Sequence, residues 1–441
     1  MSILEKIDQN IKSFNADKLF NSSIEFFKTL NYPMDTIQEE SKFSLDEFLE
    51  ITGVERSIYL SKDNVEKIEI LFNLSEEEMA KDIKNFYIGD NEIQAYLFLA
   101  IKLKDDSYSK TDIVNISKGI NKCINAPAFI IFNYNNKITL SITDRRINKK
   151  DDTRDVIEKT TLIKDIDINK PHSAHIRILE GLEFGNLGNR QNFEYFHNSL
   201  KRVLNIKELN KQFYKELSNW YFWALENVKF PDDEEKNEEK RNSQNIIRFI
   251  TRFIFSWFLK EKGLIPEKVF DKEFIYDNII ENNDKTNSTY YKVILQNLFF
   301  ATLNTEMENR GFVKSYKGTK SDSYGIHSLY RYSRFLKNQD ENLIINLFKD
   351  IPFLNGGLFE CLDKIKTGKS DEIRVDMFSD NLRNEEKLVF PDELLFGEEK
   401  DYDLNKVYFT KNKSYKVKGL INILNNYKFT VEENTPLEQD V

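Results

Sequence analysis

The spacing of apolar positions changes twice along the chain. Ile3, Ile7, Ile11 and Phe14 recur every three or four residues and predict an opening amphipathic helix. ERSIYLS (55–61) and KIEILFNLS (67–75) then read as strands. IQAYLFLAIKLK (93–104) opens with the nearly unbroken apolar run of a strand buried on both faces. A polar DDSYS leads into KTDIVNISKGINKCI, where Ile113, Ile116, Ile120 and Ile124 return to helical spacing. APAFIIFNYNNKITLSITDRR predicts two strands joined by a turn from Tyr134 to Lys137. Strand, helix and hairpin in this order predict one mixed-sheet α/β domain over 1–178.

From 190 to 310 the period is helical throughout. Leu200, Leu204, Leu209, Phe213, Leu217, Trp220 and Leu225 mark the first long run. PDDEEKNEEKRNSQ (231–244) reads as a solvated loop. The strongest helical stripe follows, with Ile246, Ile250, Phe253, Ile254, Trp257 and Phe258 on one side and Gly263 and Pro266 as the stop. YYKVILQNLFFATLNTEM predicts another helix, ahead of a Gly- and Ser-containing loop at 311–326. Beyond 340 the pattern is short and mixed, with strands expected at 373–378 and 405–410. The fold class expected is therefore α/β plus all-α: a mixed-sheet domain, a helical connector over 190–310, and a small α+β region over 311–441. No internal repeat is found.

Composition supports a folded chain: of 441 residues, 40% are hydrophobic, and 35 Phe with 20 Tyr predict aromatic-rich cores. With 64 basic and 73 acidic residues the formal charge is −9, so nucleic-acid binding would need a local basic face. The two cysteines, Cys123 and Cys361, lie too far apart in sequence to read as a disulfide framework. The N-terminus lacks the apolar core of a signal peptide. Arg248 and Arg252 interrupt the most apolar stretch, 246–260, which is also too short to span a bilayer. A cytoplasmic location and no membrane partner are expected.

Several segments are candidates for chemistry. In AIKLKDD (100–106) a strand approaches the acid-x-Lys pattern of PD-(D/E)-x-K nucleases, where a carboxylate binds Mg²⁺ and a lysine serves the attacking water. Lys104 fits the lysine. Position 102, where the acid belongs, is Lys, and an ammonium group cannot ligate a metal. Asp105 and Asp90 are the poor substitutes available, and Mg²⁺ would be needed only if cleavage survives. In DRRINKKDDTRD, Arg145, Arg146, Lys149, Lys150 and Arg154 form a basic cluster at the end of a hairpin, suited to DNA phosphates; the alternative is a solvated loop neutralised by Asp151, Asp152 and Asp155. His172 and His175 lack a third ligand, so capping or surface roles are expected and no metal site is assigned. Arg248 and Arg252 are read as ion-pairing residues at a domain seam. Asn355-Gly356-Gly357 permits a tight turn, and GNLGNR (185–190) is no dinucleotide loop.

In order, AYLFLAIKLK, TDRRINKKDD with DVIEKTTLIKDI, ELNKQFYKELSNWYFWAL, FITRFIFSWFLKEKGLIP, YYKVILQNLFFATLNTEM and IPFLNGGLFE resemble the N-terminal half of single-chain type IIG restriction–modification enzymes. That resemblance implies a nuclease-like N-terminal domain and a helical connector leading to an adenine-specific DNA methyltransferase. DNA is the implied partner. The sequence has neither the Gly-rich turn that cradles S-adenosylmethionine nor an NPPY-type motif for a flipped adenine. The expectation is a truncated or split module. It would act as a DNA-contacting scaffold beside a separately encoded methyltransferase or specificity subunit, and S-adenosylmethionine would bind elsewhere. The alternative from another class is a stand-alone DNA-binding protein of phage defence or its regulation.

Overall fold

A computed structural model describes residues 2–35, 37, 42–54, 60, 63–83, 95–124, 126–148, 151–187, 192–233, 235–281, 285–313, 328–354, 357–363, 377–379 and 386–427, without the side chains of 82, 145–148, 151–158 and 206–209. The chain divides into two compact units, Met1–Gln212 and Phe213–Val441.

The first unit is built on a six-stranded sheet in chain order: β1 (Lys42–Phe43), β2 (Val65–Ser75), β3 (Ala95–Leu103), β4 (Ala128–Tyr134), β5 (Lys137–Asn148) and β6 (Asp151–Asp167). All neighbours are antiparallel except β3 and β4, which run parallel because α5 (Lys110–Cys123) crosses between them. The period-2 alternation of the strands feeds two cores. On one face Phe72, Phe98, Phe129 and Leu140 pack with α1 (Ile3–Lys12), α2 (Leu19–Thr29), α6 (Ser173–Gly181) and α7 (Phe193–Leu204). On the other, Ile68, Leu99, Ile101 and Ile130 pack with α3 (Leu45–Thr52) and α5. A sheet sandwiched between helices explains why β3 reads as one apolar run. The β4–β5 turn closes at the pair Tyr134↔Lys137, with Asn135 at φ 48°.

Local signals fix where the helices begin. α1, α3, α4 (Glu76–Asp82) and α5 each open with a serine whose hydroxyl accepts the N–H three residues on, while the Glu or Asp there accepts the serine N–H. His172 caps α6 by accepting the Ala174 N–H, which accounts for one half of the PHSAH pair.

The second unit holds a single large core. Its helices include α9 (Glu238–Glu261), α10 (Lys272–Asn278) and a fully buried π-helical segment, Tyr291–Leu303; α8 (Ile206–Asn227) contains the division between the units. The polar residues inside the π-helical segment are matched: Asn297 exchanges hydrogen bonds with the backbone of Arg331, and Gln296 donates to the Met377 carbonyl. Short elements follow: α11 (Asn342–Phe348), α12 (Glu393–Phe396), the hairpin of β7 (Lys400–Tyr402) and β8 (Tyr415–Val417), and α13 (Leu420–Leu424).

Three expectations are corrected. The long helical run breaks at Asn205, between α7 and α8. The charged segment 231–244 is not all loop: Asn237 caps α9, Glu238 and Glu239 sit favourably at its positive end, and Arg241 and Asn242 are buried. Residues 405–410 form a turn, not a strand, because Asp403 accepts the Asn405 N–H and Phe409 takes φ 52°, which breaks the extended backbone. The strands lie on either side of that turn. Leu60 is a buried non-strand residue; the rest of the expected strand 55–61 and residues 373–376 lie outside the described residues.

Candidate functional site at the lysine-bearing end of the sheet

The side chains of Tyr96, Phe98 and Ala100 all enter the core that α1, α2, α6 and α7 cover. Two residues on, Lys102 continues that face where the apolar surface ends. Its ammonium lies 3.2 Å from Glu66 Oε1 and 4.0 Å from Asp17 Oδ1, and it is partly exposed. The register places Lys67 of β2 opposite Lys102 and Glu69 opposite Ala100, so these four share one face. Glu69 is fully buried and ion-paired with Lys67; among the described residues neither of its oxygens accepts a hydrogen bond. Asn133 of β4, opposite Lys102, is buried and donates to the Lys137 carbonyl.

Lys104 and Asp105 lie past the end of β3 and are exposed. Their backbone N–H groups both donate to the Tyr108 hydroxyl, which donates to the Asn64 carbonyl. Tyr108 thus staples the exit from β3 to the start of β2. Asp90 lies outside the described residues. The lysine that continues a covered face of the sheet is therefore Lys102, and the register then puts Ala100, not an acid, two residues before it. Strand alternation from Phe98 gives both lysines the same side; the end of β3 at Leu103 separates them, and the partnering of Glu69 with that position needed the register.

The cation that nuclease chemistry would require here is Mg²⁺. That ion takes several oxygen ligands in a near-octahedral set. Here Glu69 is buried and bound to Lys67, Glu66 and Asp17 lie against the Lys102 ammonium, and position 100 offers only a methyl group. Among the described residues no three His, Cys, Asp or Glu stand together as ligands. The described donors do not fit the ion, and no metal-dependent step is derived from them.

The three arginines of the basic cluster lie on strands β5 and β6. Arg145 pairs with Ile157 and Arg146 with Val156, and Arg154 is on β6. Lys149 and Lys150 and the side chains of all three arginines lie outside the described residues.

A second cluster on the same face was not anticipated. The Tyr96 hydroxyl is 2.8 Å from His197 Nδ1, His197 Nε2 is 2.9 Å from Asp144 Oδ1, and Lys201 Nζ is 2.7 Å from Asp144 Oδ2. Burial alone would raise the Asp144 carboxyl, but the hydrogen bonds from His197 and Lys201 outweigh it and hold it below the usual carboxylate range. The network ties β3, β5 and α7 together. In the second unit Arg252 donates to the Leu358 and Glu360 carbonyls and lies over the Phe300 ring. It is a packing residue that holds the 357–361 segment. Asn355 and Gly356 lie outside the described residues.

No helix among the described residues is long and apolar enough to cross a membrane. Residues 50–256 match a family described as a domain of unknown function, DUF4391. Over 270 residues, 56% of the chain, the sequence is 23% identical to a Methanocaldococcus jannaschii protein named "Putative type II restriction enzyme and methyltransferase". The match takes in only 17% of that protein's length. No solved structure matches the chain. The chain is thus a mixed α/β protein with a distant, partial relative whose name is that of a restriction–modification enzyme.

Proposed function

We propose that the chain is a DNA-contacting module of a restriction–modification system, built on a nuclease-type sheet that holds DNA and does not cut it. The observation that carries this reading is the lysine-bearing end of β3: a strand, crossover helix and parallel strand with Lys102 on a covered face and no acid two residues before it. The resemblance to type IIG enzymes and the restriction–modification relative support the DNA partner. Methylation and target choice would come from a separate chain or domain. The β5–β6 hairpin supplies the phosphate contacts through Arg145, Arg146 and Lys149.

The test is fluorescence anisotropy of a labelled duplex across a salt series. Wild type should bind at low salt. Reversing Arg145, Arg146 and Lys149 to Glu should flatten the log–log salt dependence by about 3, since each phosphate contact contributes ~0.9. Absence of binding at low salt sinks the reading. Plasmid nicking in Mg²⁺ or Mn²⁺ that Lys102→Ala or Lys104→Ala abolishes would replace holding by cleavage.

A further inference from the structure

The β7–β8 hairpin of the second unit has no part in that reading, yet its loop presents Phe409 96% exposed. Its φ of 52° lies in the left-handed region, which a bulky side chain enters only against steric cost. The loop is constructed to keep it there. Asn405 Oδ1 accepts from the Lys413 N–H and the Thr410 hydroxyl, and its amide donates to the Lys413 carbonyl. Tyr408, the residue before, stacks on Tyr415 at 5.0 Å, and its hydroxyl lies 3.0 Å from Ser218 Oγ and 2.8 Å from Asn219 Oδ1 of α8. A fixed base therefore carries a phenyl ring that is almost wholly in water.

Charge selects the partner. Between Leu404 and Ser414 the loop carries Lys406, Lys411 and Lys413 and no acid, and all three lysines are exposed. The nearest carboxylates are already engaged: Asp401 accepts from Ser414 and pairs with Lys416, and Asp403 accepts from Asn405. Exposed cations around an exposed ring are what a single strand of nucleic acid meets best, with phosphates on the lysines and a base face on the aromatic. A protein groove could take the ring, but it would have no need of the three cations.

We propose that the β7–β8 loop is a nucleic-acid finger, in which Phe409 stacks on an unpaired base and Lys406, Lys411 and Lys413 contact the flanking phosphates. The proposal rests on the DNA-contacting reading and adds to it the element that grips single-stranded or locally opened DNA.

The experiment uses the full chain, a labelled single-stranded oligo(dT) and a duplex of equal length. Phe409→Ala should weaken single-strand binding about ten-fold, the change that ~1.4 kcal/mol of lost stacking gives. Phe409→Trp should restore it, because any flat aromatic ring supplies the same face. Thermal unfolding should not move, as the ring packs on little. Lys411→Glu with Lys413→Glu should lower the single-strand salt slope by about 1.4, at ~0.7 per phosphate. If the chain binds DNA but Phe409→Ala leaves single-strand affinity unchanged, the finger is refuted, the ring falls to a protein partner and the DNA-contacting reading stands. If wild type binds neither DNA at low salt, both fall. If the β5–β6 charge reversals abolish duplex binding while single-strand binding still depends on Phe409, the finger stands by itself.

Discussion

Replacing Asp144 by alanine should loosen the joint between β5 and α7 by about 3 kcal/mol. Asp144 accepts from His197 at 2.9 Å and from Lys201 at 2.7 Å. A hydrogen bond to a charged group contributes ~1.5–3 kcal/mol when shielded. The His197 bond qualifies, because the two side chains are 9% and 15% exposed. Lys201 is 33% exposed, so its ion pair is screened and adds about 1 kcal/mol at most. Loss of the carboxylate also leaves the His197 N–H without its acceptor, beneath a Tyr96 hydroxyl that is fully buried. The assay is native-state hydrogen exchange on peptides from β5 and α7. About 3 kcal/mol there is about a hundred-fold faster exchange. Asp144→Asn keeps an acceptor for His197 and gives up the charge, so it should cost nearer ten-fold. The folded carboxyl sits below its ordinary value, so its stabilisation is present above the unfolded pKa of ~3.9 and is lost as pH falls through the folded value. The gap between wild type and Asp144→Ala should therefore close below about pH 4. An acceleration under five-fold, or an Asn variant as damaged as Ala, would refute the network as a structural tie.

Two further substitutions probe the cores. Phe27 is fully buried, with edge contacts to Tyr32, Phe72, Phe98 and Phe129 at 5.0–5.4 Å, so Phe27→Ala should cost ~3–5 kcal/mol, read as a fall in the urea midpoint followed by far-UV circular dichroism. At Gly419 a Cβ would lie 2.4 Å from the Leu395 carbonyl oxygen and 2.6 Å from Gly397 N. Neither atom belongs to a flexible side chain, so Gly419→Ala should cost ~1–3 kcal/mol; tryptophan fluorescence follows it, since Trp220, Trp223 and Trp257 all lie in the second unit.

What the sequence made legible is what local periodicity encodes. The runs behind β2, β3, α5 and the β4–β5 hairpin are strongly patterned, and each appears as an element of that type. The failures occur where a side chain competes with the pattern. Val407 and Phe409 alternate with polar neighbours as a strand would, but Asp403 and Asn405 capture nearby backbone N–H groups and fold the segment back. In 231–244 the charge density concealed a helix start. Glu238 and Glu239 suit a helix N-terminus, and the arginine that follows is buried by donating to the Phe230 and Glu235 carbonyls. Composition alone cannot tell such an arginine from a solvated one.

The sequence directs attention to Lys104, and the strand register brings Lys102 beside it as a second candidate. A lysine at the end of a buried strand is visible in the sequence, but alternation puts Lys102 and Lys104 on the same side, and which of them continues a covered face is decided by where the strand ends. Tyr96, Phe98 and Ala100 commit the even positions to one side, so Lys102 stands at the edge of that core while Lys104 lies beyond the last paired residue, Leu103. The acid opposite Ala100 on this face, Glu69, comes from a strand about thirty residues earlier. No window of sequence around AIKLKDD could have supplied it. Its carboxylate is bound to Lys67, and Lys102 is bound to Glu66, so the charges of this end are matched in pairs. The Lys102–Glu66 pair joins β3 to β2, and among the described residues no group of three His, Cys, Asp or Glu is placed to hold a cation. The same matching leaves Lys102, joined to an acid that is 45% exposed, the more readily released of the two lysines when a phosphate competes for it. On the proposed DNA-contacting reading, that asymmetry would free Lys102 for a backbone phosphate while Lys67 stays bound to its buried carboxylate.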